Sequence, residues 1–145
     1  MLTEYLEPQR MLLNLKAPNY QDALKKMLTL SERENHTQII NSIMDRETLM
    51  TTALGKGIAL PRVILQDGIN TEIIIAISAE GINLDSFDHL PVRIIFLHLF
   101  SEKDNYPSLL AQSLRLLNDD NLRLELLKTK TAEKVVDSIK IWEQR

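Results

Sequence analysis

The sequence predicts an α/β fold, a three-layer α/β/α sandwich with a small mixed central sheet. Residues 73–77 and 92–100 are nearly continuous apolar runs rich in β-branched residues, which is typical of strands covered on both faces. Segments with apolar residues at helical spacing precede and follow these runs, so helices alternate with strands along the chain. The 145 residues are long enough for one real core, and we predict a single domain spanning 1–145.

The first third of the chain predicts one strand and three helices. Residues 2–6 favour a short opening helix that Pro8 ends, and residues 11–15 favour a first strand. Apolar residues then recur at helical spacing from Tyr20 to about Leu30. A further helix runs from about Thr37 to about Glu47. The predicted inward residues of these last two helices are Ala23, Leu24, Met27, Leu28, Ile39, Ile40 and Ile43.

Residues 51–62, with the sequence TTALGKGIALPR, form the most distinctive stretch. Gly55 and Gly57 are two of only four glycines in the chain, and glycine permits positive φ and close backbone approach. They predict a tightly shaped loop followed by a very short strand at 58–60. Pro61 ends that strand because its nitrogen cannot donate to a ladder. Arg62 is thereby predicted at a strand end, where its side chain can face a cleft.

The remainder of the chain predicts turns around the two long strands and three closing helices. Asp67-Gly68 favours a turn, and residues 82–91 favour a loop between the long strands. Pro107 suits the first turn of a helix running to about Asn118. Its predicted inward residues are Leu110, Leu114 and Leu117. The last two helices are predicted from a cap at Asp119 or Asp120 and a capping sequence at 131–134, with Val135, Ile139 and Trp142 inward.

Composition excludes several classes of function. The formal net charge of −3, with acidic and basic residues interleaved, does not suggest a nucleic-acid groove. The absence of cysteine excludes disulfides, thiolate metal sites and thiol nucleophiles. No His/Asp/Glu cluster has metal-ligand spacing, and the glycine pair lacks the lysine and helix of a nucleotide loop, so we predict neither metal nor cofactor. Without a leader or an apolar run of roughly 20 residues, we predict a cytoplasmic chain with no membrane insertion.

Residues 51–62 resemble the signature of the EIIA domains of the bacterial phosphoenolpyruvate-dependent sugar phosphotransferase system, fructose/mannitol and nitrogen-regulatory type (type 2). That signature is Ser-Thr-Gly-Ile-Gly-x-Gly-Ile-Ala-Ile-Pro-His, and the resemblance runs nearly the full chain. It implies an EIIA type-2-like sandwich. It also implies that the phosphoacceptor histidine, which would pass a phosphoryl group from the phosphocarrier protein to an EIIB domain, is replaced by Arg62. A guanidinium stays protonated, with a pKa above about 12, and offers only donors, so Arg62 cannot replace the histidine as acceptor.

The resemblance assigns three further positions. Arg46 matches an arginine of the family active site, which would hold phosphate oxygens with its fork of donors; the alternative is a helix-end arginine attracted to the helix dipole or paired with Glu47. Tyr106 stands where the family has a second histidine. Thr52 matches the family threonine, and both anion binding and backbone capping remain open for its hydroxyl.

His98 is the one remaining histidine with a candidate role. It lies near the end of the predicted strand 92–100 and would act as a displaced phosphoryl acceptor if it approached Arg62. The alternative, which we favour, is a histidine packed at the rim of the core with one nitrogen bonded to backbone. His36 precedes a predicted helix and His89 lies in a polar loop, and neither has an assigned role.

These observations lead to three hypotheses. The first is an EIIA-like regulatory protein-binding module that has lost phosphoryl acceptance and is not itself an enzyme. Its partners would be the phosphocarrier protein or a regulated kinase or transporter, and a phosphate or sulfate anion would bind between Arg46 and Arg62, with Thr52 as a further anion-binding candidate. The second is an active phosphoryl carrier that uses His98. The third is a subunit of a larger assembly without phosphotransfer ties. The absence of a fused EIIB or EIIC segment favours the nitrogen-regulatory branch over sugar transport.

Overall fold

A computed structural model describes all residues from 1 to 145 and contains one six-stranded sheet with five α-helices. Two short 3₁₀ turns at Leu2–Tyr5 and Pro8–Arg10 precede the sheet. The strands are β1 (Met11–Leu12), β2 (Ala53–Gly55), β3 (Ile58–Ala59), β4 (Arg62–Leu65), β5 (Glu72–Ile82) and β6 (Val92–Ser101). The helices are α1 (Tyr20–Leu28), α2 (His36–Leu49), α3 (Tyr106–Leu117), α4 (Asp120–Lys128) and α5 (Ala132–Glu143). No helix is both long enough and apolar enough to cross a bilayer.

The sheet is mixed, and its centre is the antiparallel pair β5 and β6. Strand β1 pairs parallel with the far side of β5. Strands β3 and β4 both pair parallel with β6, one after the other, with Leu60 and Pro61 between them. Strand β2 continues the sheet beyond β3, whereas β4 pairs with β6 alone. Strand β4 therefore forms a free edge of the sheet.

Both faces of the sheet are covered, which confirms the three-layer prediction. Along β5, alternate side chains enter opposite cores: Ile74 and Ala76 pack with α1 and α2, whereas Ile73, Ile75 and Ile77 pack with α3, α4 and α5. This alternation follows from the two-residue period of a strand. Because each face has its own apolar cover, the strand contains the continuous apolar run that sequence analysis detected.

Two predicted strands have other bounds in the structure, and two short strands were not predicted. The first strand is limited to Met11–Leu12, because only these two residues pair with β5 before the chain turns. Strands β2 and β4 were not predicted; at three and four residues they are too short to show a period. Strand β5 extends past the exposed residues 79 and 80 to the buried Ile82, so the strand continues after its apolar run has been interrupted.

The helix starts agree with the predicted caps. Asp119 caps α4 by accepting from the amides of Asn121 and Leu122, and Thr131 caps α5 by accepting from the amide of Lys134. The inward face predicted for α3 needs correction. Leu114 is 41% exposed, and the buried side of α3 is formed by Leu109, Ser113, Leu116 and Leu117. Trp142 is only partly buried, and its indole N–H donates to Asp119 at 2.9 Å.

A buried ion pair, which no sequence pattern predicted, fixes the connection between α1 and α2. The Arg33 side chain is fully buried; its Nη1 donates to Oε1 of Glu72 and its Nε donates to Oδ2 of Asp67, both at 2.8 Å. Glu72 also accepts from Ser31 Oγ at 2.5 Å and from the Glu32 amide at 2.8 Å. A buried charge is tolerated because partners of this kind replace its lost hydration.

Candidate functional site

The glycine-rich signature forms the hairpin turn between β2 and β3. Gly55, Lys56 and Gly57 all have positive φ, at 81°, 58° and 75°. A Cβ atom on Gly55 would lie 2.7 Å from the exposed ring of Phe87, which would have to move, and the φ of 81° favours glycine whatever the space. The Lys56 amide donates to Asp88 at 2.7 Å, which ties the turn to the loop before β6. The hairpin thus sets where the chain enters β3.

Pro61 and the register with β6 place Arg62 at the sheet edge. Pro61 lies between β3 and β4 and interrupts their successive pairing with β6, as predicted for a residue without an amide proton. Its carbonyl still accepts from the His98 amide at 2.9 Å. Arg62 then starts β4 directly opposite His98. Arg62 was predicted to follow the end of the strand at 58–60. In the structure it lies at a strand end, but as the first residue of β4.

A cavity of about 460 Å³, here called the edge cleft, opens over β4 between α2 and α3. It contains three of the residues that the sequence singled out: Arg46 from α2, Arg62 from β4 and Tyr106 from the start of α3. Its other lining residues are Ser42, Val63, Ile64, Phe100, Pro107 and Leu110. Thr52 and His98, the remaining candidates, do not line the edge cleft.

Two unpaired guanidinium groups face the edge cleft. No carboxylate lies within salt-bridge distance of Arg46 or Arg62. The one hydrogen bond that Arg62 donates is a long one, 3.4 Å from Nη1 to the Leu60 carbonyl. Burial, with the charge of Arg46 acting in the same direction, lowers the pKa of Arg62. An arginine remains charged at neutral pH despite such a shift, so the edge cleft is a site of uncompensated positive charge.

The Glu47 carboxylate is hydrogen-bonded to the first residues of the signature and does not pair with Arg46. Its carboxylate accepts from the amide of Thr52 at 2.9 Å, from Thr52 Oγ1 at 2.8 Å and from Thr51 Oγ1 at 2.6 Å. The alternative in which Arg46 pairs with Glu47 is therefore wrong. Thr52 is buried, and its hydroxyl also lies 2.8 Å from the hydroxyl of Tyr20. The hydroxyl of Thr52 is thus engaged in holding the start of the signature to α1 and α2.

His98 is 0% exposed and packs between the rings of Phe96 and Phe100. Its Nε2 lies 2.9 Å from Ser113 Oγ, which itself donates to the Leu109 carbonyl at 3.1 Å. Nδ1 has no hydrogen-bond partner, and burial lowers the pKa of His98 to about 4. His98 is thus a neutral core histidine whose Nε2 contacts a side chain, while the backbone carbonyls of Pro61 and Phe96 act against the lowering of its pKa.

No exposed imidazole lines the edge cleft. Tyr106 occupies the position assigned to a second histidine, and its ring packs 5.8 Å from that of Phe100. His89 is exposed on the loop before β6. Val92 and His98 are six residue steps apart along β6, roughly 20 Å at about 3.3 Å per residue, so His89 precedes the end of β6 that is far from Arg62. His36 is the first residue of α2 rather than a residue before it, and its Nε2 lies 2.6 Å from the Arg33 carbonyl.

The α/β/α sandwich and the glycine hairpin that positions residue 62 at the sheet edge together define an EIIA-type domain. A model of the family "phosphoenolpyruvate-dependent sugar phosphotransferase system, EIIA 2" matches residues 4–141. The chain belongs to this family.

Curated relatives include both nitrogen-regulatory and fructose-specific proteins. The nitrogen regulatory protein of Bradyrhizobium diazoefficiens is 27% identical over 139 residues, which cover 92% of this chain and 91% of that protein. The fructose-specific EIIABC component of Bacillus subtilis is 26% identical over 147 residues, which cover 95% of this chain. The matched region spans only 23% of that longer protein.

Solved structures with the same fold confirm the architecture. The nitrogen regulatory protein IIA-Ntr of Neisseria meningitidis superposes with a TM-score of 0.83 at 23% identity, over 95% of this chain and 98% of that one. The mannitol IIA enzyme of Escherichia coli, solved in complex with its phosphorylated IIB partner, superposes with a TM-score of 0.75 at 18% identity, over 93% and 96% of the two chains.

Proposed function

We propose that this protein is an EIIA-type regulatory module that does not accept a phosphoryl group at position 62 and acts by binding a protein partner through the edge cleft. The observation that carries this proposal is the guanidinium of Arg62 in the edge cleft, with no exposed imidazole beside it. Nitrogen phosphorylation needs a neutral nitrogen with a lone pair, which a guanidinium does not offer. The position therefore has charge but no nucleophile.

The charge of the edge cleft does not change, because it comes from arginine side chains and not from phosphorylation. A phosphorylated histidine would place about two negative charges at this position. Arg62 and Arg46 instead place two positive charges there permanently, and no carboxylate neutralises them. Such a surface attracts an acidic partner and fixes its orientation, mainly by raising the association rate. The mannitol IIA enzyme that shares this fold is seen bound to a protein partner. Candidate partners for this chain are the phosphocarrier protein and a regulated kinase or transporter.

The proposal is tested by incubating the protein with phosphoenolpyruvate, enzyme I and the phosphocarrier protein, and measuring intact mass. A fructose-specific EIIA domain in the same reaction serves as the positive control. The proposal predicts no phosphoryl addition to this chain under conditions in which the control is fully modified. A stable adduct on any histidine of this chain would contradict it.

An active carrier that uses His98 is the second candidate function, because His98 is a neutral imidazole directly opposite Arg62 in the sheet. Burial argues against this function. The side chain is enclosed by Phe96, Phe100 and α3, so α3 would have to move before a phosphorylated partner could reach Nδ1. His98→Ala distinguishes the two candidates: the carrier function requires an adduct in the wild type that disappears in this variant and persists in Arg62→Ala.

A further inference from the structure

The edge cleft is lined by apolar side chains as well as by two arginines, and an inorganic anion would contact only the arginines. Beside Arg46 and Arg62, most of its lining residues are apolar or aromatic, including Val63, Ile64, Phe100 and Leu110. Phosphate or sulfate would contact only the guanidinium groups and would leave this surface in water. A purely apolar molecule would leave two charges without partners. The volume of about 460 Å³ lies in the range of about 300–1,000 Å³ that is usual for small-molecule sites.

We propose that the edge cleft binds a small organic anion, with one carboxylate or phosphate group on an apolar, preferably aromatic, body. The inference concerns the same site as the proposed function and depends on it in one respect, namely that position 62 serves as an anion ligand and not as a phosphoryl acceptor. The shared chemistry of the two head groups is a planar or tetrahedral set of oxygens that a guanidinium fork binds through two donors.

Different elements around the edge cleft provide the charged and the apolar contacts for such a ligand. Arg46 on α2 and Arg62 on β4 provide the donors for the anionic group. Tyr106, only partly buried, and the buried Phe100 behind it, with ring centroids 5.8 Å apart, lie on the α3 side of the sheet, which Arg62 and Ile64 also face. Ile64, which is 47% exposed, lies two residues from Arg62 on the same face of β4 and adds apolar surface that a ligand body would cover. Burial of that surface is the source of the selectivity for an organic over an inorganic anion.

The test is a titration followed by ¹H–¹⁵N NMR, with phenyl phosphate, benzoate, inorganic phosphate and benzyl alcohol as probes at constant ionic strength. We expect phenyl phosphate, benzoate or both to bind with shifts at residues 62–64 and 106–110. The affinity of the binding organic anion should exceed that of inorganic phosphate by about tenfold or more, because a phenyl ring buries substantial apolar area. The relative affinities of phenyl phosphate and benzoate identify the preferred head group.

Three variants assign the binding to the edge cleft. Arg46→Met and Arg62→Met keep the apolar stems but remove the charges, and each should weaken the binding of the organic anion about tenfold or more, since hydrogen bonds to charged groups are among the strong ones. Arg115→Met, on an exposed position of α3 outside the edge cleft, removes the same charge as a matched control and should leave the affinity unchanged.

The inference is overturned if neither organic anion binds, if inorganic phosphate or benzyl alcohol binds as tightly as the organic anions, or if Arg115→Met weakens binding as much as the cleft variants. No phosphoryl donor is present in this titration. Failure of the inference therefore appears as missing or unselective binding, whereas failure of the proposed function appears separately as a gain of mass in the phosphorylation reaction.

Discussion

Arg62 and His98 are register partners on the adjacent parallel strands β4 and β6, yet only Arg62 reaches the edge cleft. The backbone explains the difference. Strand β4 is a free edge, so its first side chain extends over the rim between α2 and α3, whereas β6 is central and α3 covers it. A charged group and a neutral histidine are therefore neighbours in the sheet with opposite access to a partner.

The buried imidazole of His98 predicts a loss of stability on acidification. Its pKa is about 4 in the folded state against a usual value of 6.5. As the pH falls below about 6.5, the unfolded chain binds a proton that the folded chain does not, so folding weakens until the pH passes about 4. The total is on the order of 3 kcal/mol. In His98→Gln, the decrease in the free energy of unfolding between pH 7 and pH 4 should be smaller than in the wild type, as measured by urea denaturation.

The exposed loop histidine gives a matched control for this prediction. His89→Asn removes an imidazole far from the core and keeps a residue that tolerates the positive φ of 60° found there. Its pH profile should follow the wild type. If His98→Gln and the wild type lost the same stability on acidification, His98 would not be a buried neutral group in solution.

Thr52 should be a stabilising residue and not an anion ligand. Thr52→Val removes the hydroxyl that bridges Glu47 and Tyr20 while keeping its shape, so Tyr20 loses its partner and Glu47 loses one of its three hydrogen bonds. We expect a loss of about 1–3 kcal/mol in the free energy of unfolding. The affinity of the edge cleft for phenyl phosphate should not change. Weaker anion binding with unchanged stability would show that the hydroxyl faces the anion after all.

Removal of Arg33 should be among the most destabilising single changes. Arg33→Met removes the closest partner of Glu72, which is 1% exposed, and leaves it only the more distant Arg10, whose Nη2 lies 3.6 Å from Oε2 of Glu72. The expected cost is about 3–5 kcal/mol, measured by urea denaturation. The double variant Arg33→Met/Glu72→Gln should recover part of this loss because it removes a buried carboxylate charge that has lost its closest partner. Lys25→Met, which breaks an exposed pair with Asp22, should cost less than about 1 kcal/mol. Equal effects of Arg33→Met and Lys25→Met would refute the role assigned to the buried pair.

Gly55 should be required for its conformation more than for its space. Gly55→Ala introduces a Cβ at a φ of 81° and 2.7 Å from the Phe87 ring. Phe87 is 78% exposed, so its ring is able to move aside. Relative to Phe87→Ala alone, the double variant Gly55→Ala/Phe87→Ala should still lose about 1–2 kcal/mol of stability from the left-handed backbone. Complete recovery in the double variant would mean that the clash was the whole effect.

The fold was predictable from the sequence where one segment carried its own signal. Strands β5 and β6 contain continuous β-branched runs because both of their faces are buried, and the caps at Asp119 and Thr131 act within one helical turn. Strands β2 and β4 were missed because they are short and exist only through pairing with β3 and with β6. The pattern of a short segment does not show which distant residue it pairs with. His98, the register partner of Arg62, lies some 36 residues further along the chain.

The charged residues of the site could be predicted from the sequence, but the apolar residues that line it could not. The family resemblance singled out Arg46, Arg62 and Tyr106, and the fold brings all three to the edge cleft. The apolar wall was not foreseen, because Phe100 and Leu110 have the composition of ordinary core residues until α3 is packed beside the sheet. The burial of His98 depends on the same packing, through Ser113 on the covered side of α3.

The central claim is that the edge cleft keeps the position of a phosphoryl acceptor without the acceptor. The most direct measurement is phosphoryl transfer to the wild type and to Arg62→His from the same phosphoenolpyruvate-dependent donors, followed by intact mass and identification of the modified residue. We predict that the wild type remains unmodified and that Arg62→His acquires one phosphoryl group at position 62. A phosphoryl group on a histidine of the wild type would contradict the claim.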